Sequence, residues 1–213
     1  MLVSIVLWVS LVLVALAAGS FLGMAITRLD DGRAGIWFEP FHLWIDLAAL
    51  AVVLLAAWRA QSPADFVGLC LLGFALIALA WIDARYLWLP DVIVLPGILA
   101  GLAICWLADP GALPDHAAGA AIGFLSLAAI RVCYRWLRGR DGLGLGDAKL
   151  LALAGAWTGW YYLAAIMVYA ALFGIGLILA GRLRGKPIDT AQKFPLGTFM
   201  APFIFMAAIR LLP

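Results

Sequence analysis

The chain has 213 residues, of which 67% are hydrophobic and 12% charged, with a formal net charge of +2. Water-soluble domains carry about 25% charged residues, and a fold of this size has no interior large enough to hide so much apolar surface from water. The composition therefore excludes a soluble globular protein, and the near-neutral balance gives no footprint for a nucleic-acid partner.

The expected solvent for most of the chain is the lipid bilayer. Within it, backbone N–H and C=O groups must be satisfied inside the protein, by helices or by a closed barrel. Barrel strands alternate apolar and polar residues, whereas the runs here are continuously apolar. The expected fold class is all-α: a polytopic transmembrane helix bundle of about eight segments, forming one integral-membrane domain over residues 1–213.

In chain order the segments fall near 2–26, 42–58, 66–84, 91–108, 116–134, 146–158, 159–180 and 194–212. The first has the apolar run and the small residues (Ala17, Ala18, Gly19) of a secretion signal, but no Lys or Arg precedes it. The basic n-region is thus missing, and the segment reads as a retained helix. The stretch from Gly146 to Ala180 is too long for one crossing. At 1.5 Å per residue it would extend about 50 Å, against a hydrocarbon core of about 30 Å. A break near Thr158-Gly159 resolves this and leaves a short, partly inserted sixth segment.

Charge placement supplies the orientation. With the N-terminus outside and every segment crossing, Arg28, Arg33, Arg85, Arg131, Arg135, Arg138, Arg140, Lys149, Arg182, Arg184, Lys186 and Lys193 fall on the inner side. Only Arg59 and Arg210 remain outside, which is the positive-inside pattern. Trp37, Trp44, Trp81, Trp88, Trp136, Trp157 and Trp160 stand near segment ends and read as interface anchors. Cys70, Cys105 and Cys133 form no CxxC pair, so they read as small packing residues, and no metal is expected.

Asp30, Asp31, Glu39, Asp65, Asp109, Asp115, Asp141 and Asp189 fall in expected loops and read as solvated. Asp46, Asp83, Asp91 and Asp147 instead lie in or beside apolar segments. A carboxylate at the bilayer centre costs about 3 kcal/mol on insertion scales, so each needs a reason. Asp46, four residues after His42, has three readings: a bond to His42, tuning of the other acids, or polar pairing across the bundle. Asp91 follows Pro90 and reads as an N-terminal cap of the fourth segment.

Asp83 ends the third segment and Asp147 opens the sixth, directly after Gly142, Gly144 and Gly146. In the topology above, both lie at the cytoplasmic boundary. Two carboxylates that meet there cannot both ionise cheaply, so they share a proton. The ionised one can take a proton from an attacking water while the protonated one donates to an amide carbonyl oxygen. The alternating glycines suit close approach of an extended substrate backbone, or simply a connector before a helix.

These residues resemble the type IV prepilin peptidase family, a branch of the GxGD membrane aspartic proteases. Gly144-Leu145-Gly146-Asp147 matches the signature, and Ala148-Lys149-Leu150-Leu151 with Gly155-Ala156-Trp157 continues it. Asp83, Arg85 and Pro90-Asp91 match the family's first aspartate stretch. Gly19-Ser20-Phe21-Leu22 with Arg28-Leu29, and Phe194-Pro195-Leu196-Gly197, match elements near either end.

The resemblance implies an aspartic endopeptidase of the bacterial inner membrane. Such an enzyme removes the short basic leader of a prepilin or pseudopilin at the cytoplasmic face. Asp83 and Asp147 would be its catalytic pair, with Gly144, Gly146 and Lys149 in substrate binding or support. Lys149 either tunes Asp147 or serves topology; Arg85 serves topology or the leader loop. The implied partners are the prepilin substrate and the lipid bilayer, and no oligomeric state is implied. Proteolysis would need no cofactor; S-adenosylmethionine enters only if the methyl transfer performed by many relatives is retained. The cysteine-rich insert of many bacterial relatives is replaced here by a short loop, DDGRAGIWFEPF. Two other readings stand beside this one. An ion- or proton-coupled transporter would put its acids at mid-membrane, and a non-enzymatic pilus or secretion assembly subunit would tolerate loss of both aspartates.

Overall fold

The computed structural model describes residues 41–139, 144–184 and 195–211, with side chains from Trp44 onward in the first stretch. The expected first segment with its Gly19–Leu22 motif, Trp37, the His42 side chain, Gly142 and Phe194 lie outside the described residues. Among those described there are seven α-helices, one 3-10 turn and no strand. The class is all-α, as the composition requires.

The helices are α1 (Phe41–Arg59), α2 (Pro63–Tyr86), α3 (Asp91–Ala108), α4 (Leu113–Arg138), α5 (Leu145–Thr158), α6 (Leu163–Leu183) and α7 (Leu196–Leu211). The 3-10 turn Pro110–Ala112 precedes α4. Pro63–Tyr86, Asp91–Ala108, Pro110–Arg138 and Leu163–Leu183 are long and apolar enough to cross a membrane, and Leu196–Leu211 is a shorter apolar helix. The expected break falls where composition placed it. Gly159 closes α5 with φ of 69°, and its N–H donates to the Gly155 carbonyl. A left-handed residue of this kind ends a helix most cheaply as glycine.

The chain divides into two compact units, Met1–Ala78 with Leu212–Pro213, and Leu79–Leu211. In the first unit α1 buries Ile45, Ala49, Val52, Val53 and Ala56, which lie along one helical face. Asp65 is not a solvated loop residue. Its N–H donates to Ser62 Oγ at 3.1 Å, and the Ser62 N–H returns a bond to Asp65 Oδ2 at 3.0 Å. That reciprocal pair is a capping box for α2. In α1, Asp46 Oδ1 is buried without a hydrogen-bond partner among the described residues.

The second unit is organised around α5. Its 14 residues span about 21 Å, short of the roughly 30 Å hydrocarbon core. It is buried along nearly its whole length, from Asp147 and Ala148 through Leu150–Ala156 to Thr158. A helix apolar on all sides belongs in an interior, and α3, α4 and α7 all pack on it. Two glycine pairs at four-residue spacing let neighbouring backbones come close. On α4, a Cβ on Gly119 would stand 2.7 Å from the Gly155 carbonyl oxygen, and one on Gly123 would stand 2.5 Å from that of Leu151. On α3, Gly97 and Gly101 receive the Leu153 and Trp157 side chains.

At the far end of α5, His116 Nδ1 donates to the Ala156 carbonyl at 3.0 Å, and Trp160 Nε1 donates to Asp115 Oδ1 at 3.3 Å. Asp115 therefore sits in the first turn of α4, not in a loop. Asp109 accepts from the Gly111 N–H at 3.0 Å and caps the 3-10 turn.

Overpacking of this kind costs about 1–3 kcal/mol. Gly123→Ala should therefore lower the thermal unfolding midpoint in detergent, whereas Gly181→Ala, which meets open space, should leave it unchanged. Equal midpoints for the two variants would contradict the close α4–α5 approach.

Candidate active site

Asp83 lies in the last turn of α2 and Asp147 in the first turn of α5, and both are buried, 3% and 8% exposed. Asp147 is the third residue after the helix cap Gly144. Its carboxylate turns back toward Gly144. Gly144 itself is ordinary extended backbone, with φ −70° and ψ 139°, so no strained conformation is needed there. The demand for glycine is steric: a Cβ at Gly144 would stand 3.2 Å from Asp147 Oδ2, and one at Gly146 would stand 2.7 Å from Leu89 Cδ1. The Cβ direction of Gly146 is thus taken by the chain's own Leu89.

Asp83 is held from α7. The Thr198 N–H donates to Asp83 Oδ2 at 2.8 Å, and Thr198 Oγ1 lies 3.1 Å from the same oxygen and 2.9 Å from the Ala80 carbonyl. Gly197, the residue before Thr198, also comes up against Asp83. Gly197 must be small: a Cβ there would stand 2.9 Å from Asp83 Oδ2 and 3.2 Å from Leu150 Cδ2.

The structure thus sets Gly197 and Thr198 against Asp83, and Gly144 beside Asp147. Lys149 goes elsewhere: its Nζ pairs with Asp91 Oδ1 at 2.6 Å. Asp91 is accordingly not the expected cap. Pro90 holds the cap position of α3, and Asp91, one residue on, carries the Lys149 ion pair. Arg85 places its guanidinium 4.6 Å from the Trp81 ring centroid, a cation–π contact.

Trp44, Trp88, Trp136 and Trp160 are exposed, as interface anchors would be. Trp157 is instead a packing residue of the bundle, its Nε1 donating to the Gly97 carbonyl at 2.8 Å. Cys105 is buried and Cys70 half-buried, whereas Cys133 is exposed and does not pack in the interior. Among the described residues no group of three or more His, Cys, Asp or Glu is placed to hold a metal ion.

Sequence reasoning missed Thr198 and gave Gly197 no role. The available signal was Pro195 followed two residues later by glycine at the start of an apolar helix. It marks a helix start that can approach another group closely, but not which group. Two carboxylates brought together away from water are not both ionised cheaply, so they would share a proton. Such a pair can donate a proton to one atom and accept one from another in the same site.

Residues 69–179 match the family model described as the type IV leader peptidase family. The chain belongs to that family. Among similar proteins, the prepilin leader peptidase/N-methyltransferase of Pseudomonas putida is 35% identical over 159 residues, 74% of this chain and 54% of that protein. The protein of the same name from Aeromonas salmonicida is 38% identical over 136 residues, 62% of this chain and 45% of that protein. Leader peptidase HopD of Escherichia coli is 39% identical over 120 residues, 56% of this chain and 77% of that protein. The chain spans about half the length of the prepilin leader peptidase relatives it matches. No solved structure matches it. The family match covers Asp83, Asp147 and Lys149 and stops before Gly197 and Thr198.

The Gly197 contact gives a prediction that needs no activity. Gly197→Ala should destabilise the protein by about 1–3 kcal/mol, and most of that cost should vanish in an Asp83→Ala background. Thermal unfolding of the four proteins measures the coupling. Additive effects would contradict the contact.

Proposed function

We propose that this leader peptidase family member is a membrane aspartic endopeptidase that removes the leader from a prepilin or pseudopilin. The single observation that carries the reading is the pair of buried aspartates, Asp83 at the end of α2 and Asp147 at the start of α5, with Asp147 lying within the Gly-Leu-Gly-Asp signature. The names of the relatives supply the substrate class.

In the proposed reaction the ionised carboxylate takes a proton from water as the water oxygen attacks the scissile carbonyl carbon. The protonated carboxylate donates to the carbonyl oxygen, giving a neutral gem-diol. When the gem-diol collapses, the C–N bond breaks, the amine leaves with a proton, and the pair returns to its singly protonated state. No covalent intermediate forms. The Thr198 N–H and hydroxyl hold Asp83 in place.

The proposed location is the cytoplasmic face of the bacterial inner membrane. Arg85, Arg135, Arg138, Lys149, Arg182 and Arg184 belong to the helix ends and turns on the Asp83–Asp147 side of the second unit, in keeping with a positive-inside arrangement. Methyl transfer with S-adenosylmethionine is not used in any step, and no residue is assigned to it. A transporter reading gains nothing from carboxylates gathered at helix ends.

Co-expression with a prepilin, read as a gel shift, tests the proposal. Asp83→Asn and Asp147→Asn should each reduce leader removal at least about a hundredfold while the protein still inserts. Asp46→Asn should reduce it only partly. Thr198→Val should slow cleavage about two- to tenfold, the worth of one net hydrogen bond, with Thr198→Ser close to the unsubstituted protein. Normal cleavage by Asp147→Asn would rule out the mechanism.

A further inference from the structure

The connection between α2 and α3 runs from Leu87 to Pro90, and its backbone is not relaxed. Leu87 has φ of 53°, and its N–H donates to the Asp83 carbonyl at 2.9 Å. A left-handed conformation at a residue with a Cβ is uncommon and is kept only where the surroundings impose it. Two residues on, Leu89 is buried and packs on Gly146, and Asp91 then accepts the Lys149 ammonium. Gly146 and Lys149 flank Asp147 by one and two residues. The segment that leaves Asp83 therefore grips the turn that carries Asp147 on both sides, once by an apolar contact and once by an ion pair.

We propose that residues 87–91 form a positioning strap, in which Leu89 on Gly146 and Asp91 on Lys149 hold the first turn of α5 so that Asp147 faces Asp83. The inference rests on the reading of those aspartates as the cleaving pair. It assigns Lys149 to neither substrate binding nor membrane orientation: Lys149 acts through Asp91, and both are positioning residues. The Lys149 side chain is 23% exposed and that of Asp91 54%, so the ion pair is partly screened and its contribution modest. Reversing one charge does more than remove the pair, because it sets two like charges together.

The test is a charge swap assayed in membrane vesicles with a purified prepilin. Asp91→Lys and Lys149→Asp should each lower kcat about five- to tenfold with KM changed less than about twofold, and the double variant should recover most of kcat. A raised KM for Lys149→Asp that Asp91→Lys does not repair would mean that Lys149 meets the substrate, and would overturn the strap. Unchanged kcat in correctly inserted Lys149→Met would do the same.

A second readout needs no cleavage. With Cys70, Cys105 and Cys133 replaced by Ala, an Asp83→Cys/Asp147→Cys protein is joined by a short thiol cross-linker. The cross-linking rate should fall on adding Asp91→Lys and recover on adding Lys149→Asp as well. If the unsubstituted enzyme leaves prepilin intact while this pattern holds, the proposed function fails and the strap stands. If prepilin is cleaved but neither kcat nor cross-linking responds to the swap, the strap is wrong.

Discussion

The start of α7 is set against a buried carboxylate: the Thr198 N–H and hydroxyl hold Asp83, and Gly197 lets the helix come that close. An amide donor lowers the cost of holding negative charge away from water, while the proximity of two such charges raises it. For the start of α7 to approach this closely, position 197 can have no side chain, since a Cβ would press on Asp83 and Leu150. The Thr198 amide is offered by the first turn of α7, where N–H groups have no intrahelical partner.

The second acid has to be brought to this point by a helix that is itself hidden. The α5 helix is too short to cross the core alone, and it is enclosed by α3, α4 and α7. Glycines on α3 and α4 permit that enclosure, because association within a membrane relies on close packing and not on expulsion of water. Pinned at its far end by His116 and Trp160, and at its near end by Leu89 and Asp91, α5 has little freedom to slide. The site thus depends on glycines far from the chemistry as well as on those beside it.

Much of the fold was legible in the sequence. Continuous apolar runs with breaks at Gly and Pro placed α3 on residues 91–108 as observed, and bilayer thickness alone demanded the interruption at Gly159. Asp83 and Asp147 stood out because carboxylates at the edge of apolar segments carry a cost that needs a reason. Side-chain partnerships were less legible. Asp91 reads locally as a cap, yet its partner Lys149 lies 58 positions away. Trp157 has the composition of an interface anchor, but a carbonyl on α3 claims its N–H. Thr198 carries no local signal at all, since a threonine in the first turn of a helix is ordinary until another helix puts a carboxylate against it. Such pairings are set by how helices pack, which periodicity does not encode.

The claim at the centre is that both aspartates act on one tetrahedral carbon. The most direct measurement is the affinity of a prepilin leader peptide whose scissile amide is replaced by a hydroxyl-bearing tetrahedral isostere. Tight binding to the unsubstituted protein, lost in both Asp83→Asn and Asp147→Asn, is the predicted result. Retention of full affinity when either aspartate is replaced would contradict the convergence of the two carboxylates on a single reacting centre.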